Sequence, residues 1–590
     1  MVRPSVAWSV PTPSEPDPEE SMSNQPWWRH AVIYQVYPRS WADADGDGIG
    51  DLPGITSRLE HLADLGVDAL WLSPFYVSPQ NDAGYDVADF RDVDPLFGTL
   101  DDFDALVERA HGLGLRVIVD VVPNHSSSEH PWFQAALAAG PGSAERARYV
   151  FRPGQGPDRS EPPNNWISNF GGSAWTRVTE ADGTPGEWYL HLFDVTQPDF
   201  DWTNPEVREE LHSVLRFWLD RGVDGFRIDV AHGLIKADGL PDADLLLDTV
   251  GSHTRLLPMW DQPEVHDVYR SWRTLVEGYA GSLADLWGQD DDRMLCGEAW
   301  VEPAHALAQY VRPDELHQTF NFSFLLTPWD APALRDAIGR SLESAADVGA
   351  PQTWVLSNHD VVRHATRLGR SDATRVVDTE GIGPDDEQPD AELGLRRARA
   401  ATTLMLALPG SAYLYQGEEL GLPDATELPT DVLQDPTWEL SGHERRGRDG
   451  CRVPVPWEST GPSLGFGPEG EPWLPQPSAY ADLAPARQRG VEGSTLELYR
   501  TLLRLRRELD LGTRSLAWIE DGDDHGVEHV DGLLSFALVA SGGDVVATVH
   551  TNVSSVPVPR PPGELLVSSG EVADDHLPAD TTVWLRPHPA

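Results

Sequence analysis

Lysine is nearly missing from this chain of 590 residues. Of 44 basic residues only Lys236 is a lysine, and together they face 95 acidic residues, for a net charge of −51. Phosphate binding needs a basic surface, so the charge argues against nucleic acid as a partner. Cysteine is almost as scarce. Cys296 and Cys451 build neither a disulfide framework nor paired CxxC motifs, and a reduced, cytoplasmic setting fits them. No apolar run approaches the ~20 residues that span a bilayer, so no membrane association is expected. Residues 1–25 lack the apolar core of a secretion signal. Their scattered prolines and acidic run read as a disordered tail, and Met22 is an alternative start. Tryptophan, by contrast, is plentiful at 22 residues, and flat aromatic faces suit both packing and sugar rings.

Short apolar, β-rich runs alternate with helix-like stretches. The runs are "AVIYQVY", "VDALWLSP", "LRVIVDVVPNH", "VDGFRIDV", "RMLCGEAW", "QTFNFSF", "TWVLSNHD" and "SAYLYQGEEL". Alternating β and α argues for a parallel α/β fold, and eight units argue for a (β/α)8 barrel. An open doubly wound sheet is the alternative, weakened because no G-x-G-x-x-G follows the first strand.

The barrel is expected over residues 26–123 and 204–514. Residues 124–203, rich in Pro, Gly, Asn and Trp, read as a domain inserted after strand three. Residues 421–490 read as an extended loop after strand eight. Long loops at strand C-termini are where barrel enzymes build their pockets. From residue 515 onward, short strands with Gly turns suggest a small antiparallel β domain.

Polar residues gather at the strand ends. Asp120, Asn124 and His125 close strand three, and Arg227, Asp229 and His232 close strand four. Glu298 closes strand five, with His359 and Asp360 at strand seven. Three carboxylates on separate strands, each near a His or Arg, point to a catalytic rim. Glycoside cleavage needs two: one to protonate the departing oxygen, one to attack the anomeric carbon or activate water. Arg227 lies two residues before Asp229 and so faces the same side of the strand, where it would keep Asp229 ionised. Glu298, between Gly297 and Ala299 with Trp300 close, sits in a setting that suits a general acid. Asp120 and Asn124 read as structural, and Cys296 as an inert buried thiol.

In order and spacing these blocks resemble the conserved regions of glycoside hydrolase family 13, the α-amylase family, and most closely its α-glucosidase and oligo-1,6-glucosidase branch. The resemblance runs from about residue 27 to the end. It implies a barrel interrupted after strand three and followed by a β domain. It implies Asp229 as nucleophile, Glu298 as acid and then base, and Asp360 as a ligand of the sugar's 2- and 3-hydroxyls. Arg227 would orient Asp229, and His125 and His359 would hydrogen-bond the same glucose. Tyr85 would stack on that glucose. Asp86 would hold its 4- and 6-hydroxyls and pair with an arginine of "GRDGCRVPVPW", Arg452 in preference to Arg448. Phe170 would line the pocket, and Trp260 and Gln262 are candidates on the acceptor side.

The stretch "SWADADGDGIGD" begins like an EF-hand but has Gly54, not Glu, at position twelve. Members of this branch hold a structural calcium in the corresponding loop. The resemblance therefore implies Ca2+ on Asp43, Asp45, Asp47, the Ile49 carbonyl and Asp51, with no catalytic cofactor. The expected activity is exo-acting release of glucose from short α-glucosides, with linkage open. Val230 leans towards α-1,6 bonds, whereas Ala231, His232 and "QPDFDW" depart from that pattern. A sucrose- or trehalose-acting transglucosidase and a non-catalytic binding barrel are the alternatives.

Overall fold

The computed structural model describes residues 25–244, 257–288, 290–371, 381–520 and 530–588; the tail expected at the start lies, but for Gln25, outside them. Eight strands form one parallel sheet: β1 (Val32–Val36), β2 (Ala69–Leu72), β3 (Arg116–Val121), β4 (Gly225–Ile228), β5 (Met294–Gly297), β6 (Gln318–Thr319), β7 (Thr353–Val355) and β8 (Ser411–Tyr415). Their order is β6-β5-β4-β3-β2-β1-β8-β7. A backbone hydrogen bond from Asn321 N to Thr353 O, 3.1 Å, bridges the remaining gap between the ends of β6 and β7. Each of the eight apolar runs of the sequence contains one of these strands.

Strand parity sorts the side chains. Ile33, Trp71, Ile118, Met294, Cys296, Val355 and Tyr413 share an inner core. Their neighbours Val32, Tyr34, Leu70, Val119, Phe226 and Leu295 join the core against the helices, as a two-residue repeat demands. The same parity turns Gln35, Asp120, Arg227, Asp229 and Glu298 inward. The register sets Asp120 level with Arg227 and Gly297 level with Ile228, so Asp229 and Glu298 follow side by side one residue further on.

The surrounding helices begin on capped turns. Thr99 starts α1 (Leu100–Gly112) with a reciprocal capping box to Asp102, and Asn204 with Pro205 starts α2 (Pro205–Asp220). Each such cap contributes about 1 kcal/mol. The lower end of the barrel is closed by buried Trp27 and Trp28, and Arg116 is sandwiched between Trp27 and Trp287 at 4.5 and 4.3 Å.

The segment between β3 and α2 carries a three-stranded antiparallel sheet (Phe151–Arg152, Trp175–Thr179, Pro185–Leu190). At the C-terminus β9 (Ser515–Trp518), β10 (Leu533–Val539), β11 (Val545–Asn552), β12 (Glu564–Ser568) and β13 (Thr581–Arg586) form an antiparallel sheet in the order β9-β10-β11-β13-β12. It docks on α3 (Ala391–Met405) through Trp584 Nε1 to Thr403 O, 2.9 Å, and Thr582 Oγ1 to Ala400 O, 2.9 Å. Among the described residues no helix is long and apolar enough to cross a membrane.

Candidate active site

A cavity of about 290 Å³ opens at the C-terminal ends of the barrel strands. Its floor comes from the inward, rim-level residues. Arg227 is almost fully buried and joins three carboxylates. Its Nη1 donates to Asp229 Oδ1 at 2.7 Å and to both oxygens of Asp120 at 3.0 and 3.1 Å, and its Nη2 donates to Glu298 Oε2 at 2.6 Å. One rigid guanidinium fork thus fixes Asp229 and Glu298 relative to each other. Glu298 Oε1 accepts from Trp300 Nε1 at 2.9 Å, and the Trp300 ring lies flat on Phe322, 3.8 Å between centroids. Val230, directly after Asp229, has φ of +46°, a strained conformation for a β-branched side chain.

Burial pushes Asp229 above the ordinary carboxylate range, opposed by Arg227 and reinforced by the nearby Glu298 and Asp120. Arg227 favours the ionised form, as expected from the sequence, but burial works against it and the same guanidinium is shared among three acids. Asp120 is pushed up to about 7 by burial despite Arg227. For Asp360 the balance reverses. Burial works against its charge, but His359, Arg448 and Arg452 outweigh it and hold the carboxyl well below its usual value.

A second arginine hub closes the far end of the cavity. Arg448 donates to Asp82 Oδ1 at 2.9 Å, Asp360 Oδ1 at 2.9 Å and Asp435 Oδ2 at 2.5 Å. Arg452 stands behind it, on Asp360 Oδ1 at 3.2 Å and His359 O at 2.9 Å. The expected pair of Asp86 with Arg452 does not form. Asp86 is fully buried and its carboxylate is taken by Ser78 Oγ at 2.8 Å, Asn81 N at 2.8 Å and Asp82 N at 3.2 Å. Local donors tie it into its own turn, and Asp82, facing the cavity, meets Arg448 in its place.

Tyr85, His125, Phe170, Asp229, Glu298, His359 and Asp360 line the cavity; Asp86, Arg227 and Arg452 stand behind its wall. The Tyr85 ring is stacked on His359 at 5.2 Å with 7° between planes, and its hydroxyl donates to Asp120 Oδ2 at 3.1 Å. Trp260 also lines the cavity, stacked on His232, whereas Gln262 does not reach it. Sequence reasoning missed Asp82, Phe193, Asp435, Arg445 and the hub role of Arg448. Asp82 lies three residues before Tyr85, across a turn with positive φ at Ala83 and Gly84, and the residues of that turn carry no sign of which acid faces the cavity.

The loop after β1 gathers other acids. Carboxylate oxygens of Asp43, Asp45 and Asp51 lie within 4.8 Å of one another. Asp47 stands outside this trio, its Oδ1 accepting from Ile49 N at 2.8 Å. Backbone N–H groups steady the trio, from Gly46 and Gly48 to Asp43 and from Ala44 and Gly54 to Asp51. Three hard oxygen donors with no arginine or lysine among the described residues to balance them fit a divalent cation.

The family model for the catalytic domain of alpha amylase matches residues 35–513. The chain belongs to this family. A probable alpha-glucosidase of Rhizobium meliloti (strain 1021) is 39% identical over 493 residues, 82% of each chain. Among solved structures, an alpha-glucosyl transfer enzyme is 35% identical with a TM-score of 0.78, covering 95% of this chain and all of that one. The trehalulose synthase MutB from Pseudomonas mesoacidophila MX-45 is 29% identical with a TM-score of 0.79 and the same coverage. As an α-amylase-family protein, the chain is a glycoside hydrolase by descent, and its rim carboxylates stand where a barrel enzyme carries its chemistry.

Proposed function

We propose that the chain is a retaining, exo-acting α-glucosidase of short oligosaccharides. The observation that carries this reading is the shared guanidinium of Arg227, which holds Asp229 and Glu298 side by side at the base of a cavity closed at its far end by Arg448 and Asp82. About 290 Å³ lies at the small end of small-molecule sites, roughly 300–1,000 Å³. It suits a terminal glucose with a short aglycone, not the interior of a polymer.

Asp229 attacks the anomeric carbon while Glu298 gives its proton to the departing glycosidic oxygen; water, activated by the Glu298 carboxylate, then cleaves the glucosyl ester. An Asp229 carboxylate held high by burial gains most from positive charge developing at the sugar ring, so the interaction strengthens in the transition state. Asp360 and His359 take the sugar's 2- and 3-hydroxyls, Tyr85 stacks on its face, and Asp82 with Arg448 meets the 4- and 6-hydroxyl end. Asp43, Asp45 and Asp51 would hold a structural Ca2+, with the expected Ile49 carbonyl as a further oxygen ligand and Asp47 outside the set; the ion would stiffen the loop and take no part in the chemistry.

The second reading, a transglucosidase acting on sucrose or trehalose, is favoured by the likeness to the glucosyl transfer enzyme and the trehalulose synthase. Products from maltose, isomaltose, sucrose, trehalose and soluble starch, resolved by chromatography, separate the two. Glucose from a disaccharide but not from starch supports the glucosidase. Rearranged or lengthened sugars without free glucose support transfer.

A further inference from the structure

Lys236, the chain's one lysine, is placed in the interior. Its Nζ donates to Asn124 Oδ1 at 2.7 Å, Gly233 O at 2.6 Å and Asp199 Oδ2 at 2.7 Å, and its side chain is 5% exposed. Three donors meet three acceptors from three segments: the loop after β3, the end of the inserted sheet region, and the turn after β4 that carries Asp229. A planar guanidinium cannot point three N–H groups at acceptors gathered around one point.

An ammonium only donates, so the side of Asn124 turned to Lys236 is its carbonyl oxygen. Its amide nitrogen must face the other way, where Nδ2 lies 3.1 Å from His125 Nδ1 and 3.2 Å from Asp199 Oδ2. That nitrogen also only donates, so His125 Nδ1 must accept. The ring's proton then sits on Nε2, where Tyr85 O waits at 3.2 Å. Gln197 Nε2 approaches the same ring nitrogen at 3.2 Å and is a donor as well, since Asp194 N holds its Oε1; its proton has another acceptor in Asp82 Oδ2 at 3.1 Å, and the Tyr85 carbonyl, which can only accept, decides for a proton on His125 Nε2. Of the charged groups around the ring, Asp199 favours its protonation, while burial and Lys236 oppose it.

We propose that Lys236 is a positioning residue that fixes His125, through Asn124, as its neutral Nε2–H tautomer. The pocket then presents the same imidazole face at every neutral pH, and the three segments around it share one anchor. The proposal goes beyond the glucosidase reading, and only its activity arm rests on that reading.

The test is 15N NMR of the histidine-labelled full chain, with the His125 signals assigned by difference from His125→Gln. The wild-type ring should show a bare Nδ1 and a protonated Nε2. In Asn124→Asp the anchor to Lys236 survives, but a carboxylate oxygen replaces the amide at Nδ1. The proton should move to Nδ1, or the ring should titrate above its native value, with the acid limb of the kcat/KM profile moving up in pH and kcat/KM falling about tenfold. Lys236→Met should scramble the tautomer, and Lys236→Arg should not restore it. A proton on Nδ1 in the wild type, or an unchanged His125 signal in Asn124→Asp, overturns the proposal. Should Lys236→Met fail to fold, Asn124→Asp decides alone. A wild-type protein with the expected tautomer but no turnover of any glucoside would sink the glucosidase reading and leave this one standing.

Discussion

The molecule holds two crowds of carboxylates, and they are steadied by opposite means. At the pocket, Asp82, Asp120, Asp229, Glu298, Asp360 and Asp435 are distributed over the guanidinium groups of Arg227 and Arg448. In the loop after β1, Asp43, Asp45 and Asp51 converge with only backbone N–H groups for company. The pocket carries its counter-charges in the chain, so its acids keep their geometry when empty and remain free to meet a neutral ligand. The loop has none, so its repulsion is an open demand for a cation. A buried charge needs a partner; the pocket takes its partners from the chain, and on the proposed reading the loop takes its own from solution.

The largest test of this contrast removes the acids that the pocket balances. Asp229→Ala should abolish turnover, and Glu298→Gln should lower kcat by about 10²–10⁴-fold, both with far-UV circular dichroism unchanged. Near-wild-type steady-state rates in either would break the assignment. Next comes the counter-charge itself. Arg448→Ala leaves Asp82, Asp360 and Asp435 without their shared cation, and removing one partner of a buried pair costs about 3–5 kcal/mol. Chemical denaturation should show that loss together with a collapse of kcat/KM; a stability unchanged within error would mean that the hub is decorative.

For the loop the expectation is inverted, since its partner comes from solution. Calcium at 100 times its dissociation constant should stabilise the fold by about 2.7 kcal/mol. Chelation should lower Tm by a few degrees, and Asp45→Ala should remove the calcium response while leaving kcat in place. A Tm indifferent to chelator and to added calcium would erase the contrast. The smallest effect concerns pH. Burial raises Asp82 to about 6, Asp120 to about 7 and Glu418 to about 8. A carboxyl raised in the folded state binds its proton more tightly there than in the unfolded chain. Its contribution is complete below the unfolded value and is lost as pH rises through the folded one. Below about pH 6.5 the buried His125, His130 and His232, held down to about 4 by burial, work the other way, so the decline is read between about pH 6.5 and 8, where stability should fall by up to ~1.4 kcal/mol per pH unit for each raised carboxyl still titrating. Glu418→Gln should flatten the upper part of that decline; an unchanged slope would remove Glu418 from the account.

Much of this arrangement was legible in the sequence because parity carries it. Knowing that a strand alternates faces puts Arg227 and Asp229 on one wall, and the end of an apolar run puts Glu298 at a rim. What escaped was pairing across distance. Asp82 meets Arg448 from the far side of the chain, and nothing in "NDAGYD" says which of its two acids turns outward. Ser78 and the N–H groups of Asn81 and Asp82 decide it by capturing Asp86. The choice of Arg452 over Arg448 as the partner of Asp86 had no outcome for the same reason, since neither meets Asp86: Arg448 goes to Asp82, Asp360 and Asp435, and Arg452 to Asp360 and the His359 carbonyl. Asp435 reads in the sequence as the N-cap of Pro436–Leu440, a local signal that says nothing of its pairing with Arg448.

The burial of Lys236 also has a practical side. Reagents that acylate or crosslink side-chain amines find no accessible lysine among the described residues, so such chemistry is left to the α-amino group. Attachment to a support can use the abundant surface carboxylates, and a lysine engineered at a chosen surface position would be the one accessible side-chain amine among the described residues.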